Sequence, residues 1–351
     1  MFVDPASLDV IAPNFKRRWS GVSSTVIGLV PVQARDIGIA ACGPRLPDDI
    51  PRIRLHQLLT MSRKGPRGVR VFHARRNIEM LAGLVLRNIL RKRLKLMFTS
   101  PEQRDHTRYT KWLLRRMDRV VATSARSAAF LRVPHVVIHH GIDTATFRPP
   151  DDRAALRRRL GLDPDAVILG CFGRQRPQKG TDLFVDAMIA LLPARPGAQA
   201  IVMGGITPQF EGFVREQKDK VAAAGLSGRI RFLPEDRGFS IAPWFQAIDL
   251  HVAPQRHEGF GLTPLESMAC GTPVVATTAG AFEELVVHEG TGLIVPVNDP
   301  PALQAAIARA LDHPDERARW AAACVPRVAA HFRIEDEAAA LVAIYRDLLA
   351  G

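Results

Sequence analysis

The 351-residue sequence lacks most of the features that mark membrane-spanning, secreted or zinc-binding proteins. No apolar run approaches the roughly 20 residues that cross a bilayer. Residues 1–9 hold no basic region followed by an apolar stretch, so we expect no cleavable signal. The four cysteines are scattered and form no CxxC pair, which argues against a disulfide framework and against a zinc site. These absences favour a protein of the reducing cytoplasm.

Several nucleotide and nucleic-acid motifs are also missing. The segment GRQRPQKG at residues 173–180 follows an apolar run, but it has neither the Walker spacing nor the GxGxxG pattern. The sequence therefore does not support an NTPase loop, and it supports a dinucleotide site only weakly. Aromatic residues make up 6% of the chain and do not alternate with its basic clusters, as base-stacking platforms do. We expect no nucleic-acid partner and, because no DxD pair is suitably placed, no metal.

The order of apolar runs and helical patterns predicts an α/β protein with two domains. The chain is long enough for two cores, and predicted strands alternate with helices on both sides of residue 150. Pro149 and Pro150 interrupt regular structure, so we place the boundary between residues 1–150 and 151–351. This pattern predicts two doubly wound sheets that face a central cleft. Ligands bind such sheets at the carboxyl ends of the strands.

Positive charge is concentrated in the first half of the chain. The formal net charge is +13, yet residues 1–150 contain 27 Lys and Arg against 10 Asp and Glu. Such a field implies an anionic partner: nucleic acid, lipid headgroups or an acidic glycolipid. A helix predicted over residues 78–92 ends in a basic cluster that suits a helix C-terminus. On anionic lipid each basic residue would add about 1 kcal/mol; the cluster consists of Arg87, Arg91, Lys92, Arg93 and Lys95.

Residues 248–280 contain the strongest candidate site. An apolar run leads to a turn with Gly259 and Gly261, and Thr263 is predicted to cap a helix that has Glu266 in its first turn. A glycine turn before a helix start binds anions. Glu258 and Glu266 beside an anion site suggest hydroxyl groups on the same ligand, as in a nucleotide sugar. Alternatively, Glu266 completes a capping box with Thr263.

The runs HEGFGL at 257–262, PLE at 264–266 and ACGTPVVA at 269–276 resemble the signature of family 4 glycosyltransferases. Those enzymes retain the anomeric configuration and have the GT-B fold, with a terminal helix (here about 335–351) that packs on the first domain. The resemblance implies that Arg174 and Lys179 hold the donor diphosphate and that Glu258 holds the sugar. It also places the segment at Pro234 and Glu235 near the nucleoside base. The implied donor-binding residues are Gly21, Arg174, Lys179, Glu258, Gly259, Phe260, Gly261, Leu262 and Glu266, and the catalytic ones are Glu258, Arg174 and Lys179.

Three further runs, HARRN at 73–77, FTS at 98–100 and HGID at 140–143, resemble those of lipopolysaccharide core mannosyltransferases. This likeness implies GDP-mannose as donor and a lipid-linked anionic acceptor at the cytoplasmic face of the inner membrane, where the protein would be peripheral. His73, Arg75 and Arg76 then become candidate acceptor contacts. Thr99 stands where many relatives have a histidine near the donor sugar. A UDP-sugar donor, a sugar-nucleotide-binding protein without turnover and a nucleic-acid-binding protein remain alternatives.

Overall fold

The computed structural model describes residues 1–17, 21–234 and 241–351, which form two compact units. The first unit contains Met1–Asp143 and Phe332–Gly351, and the second contains Thr144–His331. The division lies a few residues before the boundary predicted at Pro149 and Pro150. Within the described residues, no helix is both long and apolar enough to cross a membrane.

The first unit is built on a parallel sheet of seven strands in the order β3-β2-β1-β4-β5-β6-β7. The strands are β1 Val10–Pro13, β2 Ile39–Cys42, β3 Arg52–Ile53, β4 Arg70–Ala74, β5 Leu94–Ser100, β6 Arg119–Ala122 and β7 Val136–Val137. The helices are α1 Gly21–Gln33, α2 Gln57–Thr60, α3 Asn77–Asn88, α4 Arg108–Leu114, α5 Ala125–Ala128 and the terminal helix α14 Ile334–Ala350.

Both faces of this sheet are covered, as expected for nearly continuous apolar strands. Along β4, Phe72 belongs to a core with Leu84 of α3, whereas its neighbour Val71 belongs to a core on the other face with Leu29 of α1. Tyr345 of α14 lies in that second core. The terminal helix is therefore an integral part of the first unit.

Helix α3 ends at Asn88 and not at the predicted residue 92. Arg91 adopts a left-handed conformation with φ of 50°, which reverses the chain. Lys92 then turns inward, where it is 6% exposed and its Nζ donates to the carbonyl oxygens of Leu59 and Met61. Burial lowers the pKa of Lys92. The prediction that Lys92 faces lipid is therefore wrong.

The second unit holds a parallel sheet of six strands in the order β10-β9-β8-β11-β12-β13. The strands are β8 Val167–Phe172, β9 Ala198–Met203, β10 Ile230–Leu233, β11 Leu250–Ala253, β12 Val274–Thr277 and β13 Gly292–Val295. The helices are α6 Arg153–Arg159, α7 Thr181–Leu191, α8 Glu211–Ala223, α9 Ala242–Ala247, α10 Thr263–Ala269, α11 Phe282–Leu285, α12 Pro300–Asp312 and α13 Pro314–His331. Alternate residues of β8 again face two cores, with Leu169 in one and Phe172 in the other. The predicted pair of doubly wound sheets is confirmed.

Candidate active site

The order of strands in the second unit locates the candidate site. Strands β9 and β10 follow β8 on one side of the sheet, and strands β12 and β13 follow β11 on the other side. The strand order therefore reverses between the neighbours β8 and β11. Loops that follow such strands diverge and leave a crevice at the carboxyl edge. The loop of residues 173–180 follows β8, and residues 254–262 follow β11. The two most distinctive sequence motifs thus meet at the switch point.

Gly180 allows the two loops to approach closely. It lies in the left-handed region with φ of 71°, between a single 3₁₀ turn (Pro177–Lys179) and α7. A Cβ atom at this position would lie 2.0 Å from the carbonyl oxygen of Pro254, in the loop after β11. A side chain would therefore push the loops apart.

Lys179 and Glu258 bind each other across this approach. The Nζ of Lys179 donates to Oε2 of Glu258, and Oε1 of the same carboxylate accepts the N–H of Gly259 at 3.0 Å. Both side chains are one-fifth exposed, so the pair is accessible to a ligand at the loop edge. The structure thus places a cation and a carboxylate together, as a phosphate bearing a sugar requires.

Arg174 directly follows Gly173 at the end of β8 and is partly buried. The next residue, Gln175, fixes the loop, because its N–H donates to the Gly205 carbonyl at 3.2 Å and its Nε2 to the Gly204 carbonyl at 3.0 Å. The conformation that presents Arg174 is therefore held by the neighbouring strand end of β9.

Arg256 is a supporting residue that the sequence interpretation missed. Its guanidinium binds both carboxylate oxygens of Asp182 in α7, each at 2.7 Å. Its backbone N–H donates to the Gln178 carbonyl at 3.0 Å. A forked arginine–carboxylate contact is geometrically specific. It ties the loop after β11 to the loop that carries Lys179. Its only sequence signal is its position next to the HEGFGL run.

The glycine turn packs against the loop that follows β12. Gly261 has φ of 90°, and a Cβ there would lie 2.2 Å from the ring of Phe282. Phe260 is buried, and its carbonyl accepts the N–H of Ala281 at 3.0 Å. Residues 259–262 are thereby fixed at the start of α10.

Thr263 does not cap α10. The helix begins at Thr263 itself, the cap position falls on Leu262, and no side chain there makes a capping hydrogen bond. The alternative interpretation of Glu266 as half of a capping box is therefore wrong. Glu266 is partly buried, and its desolvation raises its pKa to about 7. Its carboxylate makes no capping hydrogen bond and is available to a ligand.

This raised pKa predicts that Glu266 makes nucleotide binding depend on pH. A carboxylate that accepts hydrogen bonds from ribose hydroxyls binds best when ionised, so we expect nucleoside diphosphate affinity to rise as pH increases through about 7. The pH dependence of folding stability has the opposite sign. A carboxyl whose pKa is raised by folding contributes stability that is fully present at pH values below its pKa in the unfolded chain. This contribution is lost as pH rises through about 7.

The measurement is the affinity for GDP between pH 6 and 8, compared with Glu266→Gln. The difference between the two proteins isolates Glu266 from the ionisation of the nucleotide phosphate. An identical pH profile in both would contradict the assignment of Glu266 to the ribose.

The first unit has its own switch point, between β1 and β4. Arg76, which follows β4, donates to Oδ1 of Asn14 after β1 at 2.7 Å and to Oε1 of the buried Glu79 at 2.8 Å. It also donates to Oγ of Ser23 in α1 at 3.1 Å. Arg76 therefore joins the two loops, and its contact with an acceptor stays a prediction.

His73 is a core residue. It is 0% exposed, Nδ1 lies 2.6 Å from the Tyr345 hydroxyl, and Nε2 lies 2.7 Å from Oγ1 of Thr99. Burial, with a smaller contribution from Arg75, lowers its pKa well below the usual range, so the ring is neutral. Its prediction as an acceptor contact does not fit this environment. Thr99 and Tyr345 are its two hydrogen-bonding partners.

Arg75 differs from its neighbours because it is buried without a full set of partners. Its side chain is 5% exposed, and within the described residues its Nε and Nη2 atoms form no hydrogen bond. Nη1 lies 3.5 Å from the His73 carbonyl, and the guanidinium also interacts with the hydroxyl of Tyr345. A buried cation of this kind is costly unless an anion binds it. Among the predicted acceptor contacts, Arg75 is the residue whose geometry suits that role.

Gly21 begins α1 beside the first switch point and is exposed, and a Cβ there would meet nothing within 4 Å. Packing therefore does not require glycine at this position. The predicted base contact Glu235 lies outside the described residues. The described ranges contain no cluster of three or more His, Cys, Asp or Glu side chains able to hold a metal.

Comparison with known proteins identifies relatives of this chain. Residues 152–324 match the family model described as glycosyl transferases group 1. The chain is 52% identical to the lipopolysaccharide core biosynthesis mannosyltransferase LpsB of Rhizobium meliloti, covering 99% of each chain. It is 50% identical to the lipopolysaccharide core biosynthesis mannosyltransferase LpcC of Rhizobium leguminosarum, covering 99% of this chain and 98% of that protein.

Among solved structures, the fold resembles that of Anabaena HepE in complex with UDP and glucose, with a TM-score of 0.83 at 21% identity over 97% of this chain and 100% of that one. This likeness supports the two Rossmann-like domains of the GT-B fold. On the full-length identity to LpsB and LpcC and on the matched model, the chain belongs to the group 1 family of glycosyltransferases.

Proposed function

We propose that the protein transfers mannose from GDP-mannose to a lipopolysaccharide core precursor or another anionic glycolipid, with retention of configuration and without a metal. The main observation is the Lys179–Glu258 pair at the switch point of the second sheet, which places a phosphate-binding cation beside a sugar-binding carboxylate. The names of the relatives LpsB and LpcC support mannose and the lipopolysaccharide core. Such an acceptor would place the enzyme peripherally at the cytoplasmic face of the inner membrane.

The donor is held through its charge and its hydroxyl groups. Arg174 and Lys179 bind the diphosphate, and the backbone amides of residues 259–262 bind it as well. As the bond to the nucleotide breaks, negative charge grows on the leaving phosphate, and preorganised cations stabilise that charge. Glu258 binds hydroxyls of the transferred sugar and Glu266 those of the ribose. No enzymic nucleophile is assigned, and the leaving phosphate assists attack from the same face.

The acceptor is recognised by its negative charge. Arg75 supplies a buried guanidinium with two unbonded nitrogens, and the excess of basic residues in 1–150 attracts anions over a longer range. Arg76 and His73 support this region from within. Replacement of Arg75 by methionine is expected to raise KM for the acceptor and to leave GDP affinity unchanged.

A thermal-shift screen tests the donor. GDP, UDP, ADP and CMP are compared with and without EDTA, and GDP at 100 times its Kd should add about 2.7 kcal/mol of stability. We expect GDP to stabilise the protein in the presence of EDTA, and Lys179→Met to weaken this stabilisation. A response to UDP alone would discard mannose and favour a UDP-sugar transferase. No response to any nucleotide would overturn the proposal.

Turnover separates an enzyme from a non-catalytic sugar-nucleotide-binding protein. GDP release should depend on the acceptor, and NMR of the product should show the same anomeric configuration as in the donor. Binding of GDP-mannose without release of GDP would favour the binding protein.

A further inference from the structure

The outer side of α3 is apolar, although it faces solvent. Ile78, Leu81, Val85 and Ile89 recur at intervals of three and four residues and are 57%, 40%, 39% and 70% exposed. This spacing places them on one face of the helix. The opposite face packs on the sheet through residues such as Met80, which is 1% exposed. A surface helix normally presents polar residues to solvent. Helix α3 instead has apolar residues both on the face that packs on the sheet and on the face that meets solvent.

Helix α4 extends the same surface with aromatic residues. Nδ2 of Asn77 donates to Oγ1 of Thr110 at 2.8 Å, which joins the start of α3 to α4. Tyr109 and Trp112 of α4 are exposed and stacked, with ring centroids 6.3 Å apart and an interplanar angle of 14°. Below, the docking face denotes Ile78, Leu81, Val85, Ile89, Tyr109 and Trp112.

Basic side chains flank the docking face. Arg91 and Arg93 follow α3 directly and are exposed. The N–H of Arg93 donates to the carbonyl of Arg63, another exposed arginine, at 2.8 Å. Just after the end of α4, the Arg116 guanidinium lies 4.0 Å from the centroid of the Trp112 ring. The surface therefore combines an apolar stripe, amphipathic aromatics and cations.

We propose that the docking face inserts into the headgroup boundary of an anionic lipid bilayer. Exposed aliphatic residues beside Trp, Tyr and Arg match the layered chemistry of that boundary, with acyl chains inward and phosphates outward. Charge complementarity favours lipid over a second copy of this chain, since residues 1–150 of both copies carry the same large positive excess. The inference deepens the proposed function and rests on it, because it names the surface through which an enzyme placed peripherally at the inner membrane would contact lipid.

Vesicle sedimentation tests the docking face. The full-length protein is mixed with vesicles of phosphatidylcholine alone, or with about a quarter phosphatidylglycerol. We expect strong binding only to the anionic vesicles. Ile78→Glu combined with Ile89→Glu should reduce this binding at least about tenfold. Arg91→Ala combined with Arg93→Ala should also reduce it about tenfold, and added salt should weaken wild-type binding.

Val287→Glu is the matched control, because Val287 is an exposed apolar residue of the second unit, 43% exposed. It should bind vesicles like the wild type. All variants should keep the wild-type circular dichroism spectrum and GDP affinity, which separates docking from donor binding. The inference is overturned if Ile78→Glu with Ile89→Glu binds anionic vesicles like the wild type. It is equally overturned if the wild type binds no vesicles, or forms a dimer that these substitutions dissociate.

Discussion

Replacement of Lys179 by methionine is expected to lower kcat by about 10²–10³-fold, comparable to removal of one preorganised donor at a developing anion. Two losses combine in this variant. The leaving diphosphate loses a cation, and Glu258, whose Oε2 accepts from Lys179, becomes an unpaired carboxylate beside the phosphates. Because the charge on the phosphate is greatest in the transition state, kcat should fall more than donor KM rises.

Steady-state kinetics with GDP-mannose and a core acceptor measure this effect. Lys220→Met is the matched control, since Lys220 also pairs with a carboxylate, Asp186 at 3.2 Å, but on an exposed surface of α8. It should change kcat less than twofold, as exposed pairs contribute little. Glu258→Gln should lower kcat by a smaller factor in the Lys179→Met background than in the wild type, because the ion pair between the two residues is already broken. A kcat for Lys179→Met within about threefold of wild type would remove Lys179 from the transfer step.

Replacement of Glu337 by alanine is expected to destabilise the first unit by about 3 kcal/mol. In α14, Oε1 of Glu337 lies 2.7 Å from Nδ1 of His140, and Oε2 accepts the N–H of Gly141 at 2.8 Å. Both side chains are less than one-tenth exposed. The substitution removes the acceptor of Nδ1 of the buried His140 and of the partly buried N–H of Gly141, which costs more than the pair itself contributes.

Hydrogen exchange followed by mass spectrometry measures the loss, because it reports local stability in each unit. Protection should fall about 100-fold in α14 and remain unchanged in α7 of the second unit. Asp336→Ala, at the exposed neighbouring position, should cost less than about 1 kcal/mol, from the helix dipole alone. Equal protection in the Glu337 and Asp336 variants would contradict a stabilising role for the buried contact.

Short apolar runs carried most of the fold information. The apolar run Val274–Thr277 forms β12, and Asp299 followed by Pro300 marks the start of α12. Buried parallel strands must be apolar on both faces, so their positions are visible in composition alone. Helix α13 was not assigned, although Trp320, Cys324 and Val328 recur at every fourth residue and are its buried positions. That signal was present in the sequence.

Contacts between distant residues decided most of the side-chain roles in the candidate site. The run HEGFGL identified the turn, but the pairing of Arg256 with Asp182 depends on β8 and β11 being neighbours in the sheet. The resemblance of the run HARRN makes His73 a candidate acceptor contact. Its hydrogen bond to Tyr345, which is 272 residues away, shows that it is instead a core residue.

The sequence by itself determined the alternation of strands and helices, the glycine turns and the location of the positive charge, because these follow from local composition. Only the tertiary structure decided which polar groups are buried and which apolar groups are exposed. Lys92 is enclosed by the carbonyls of Leu59 and Met61, whereas Ile89, three residues earlier, faces solvent. Burial depends on what packs against a residue, and that partner comes from elsewhere in the chain.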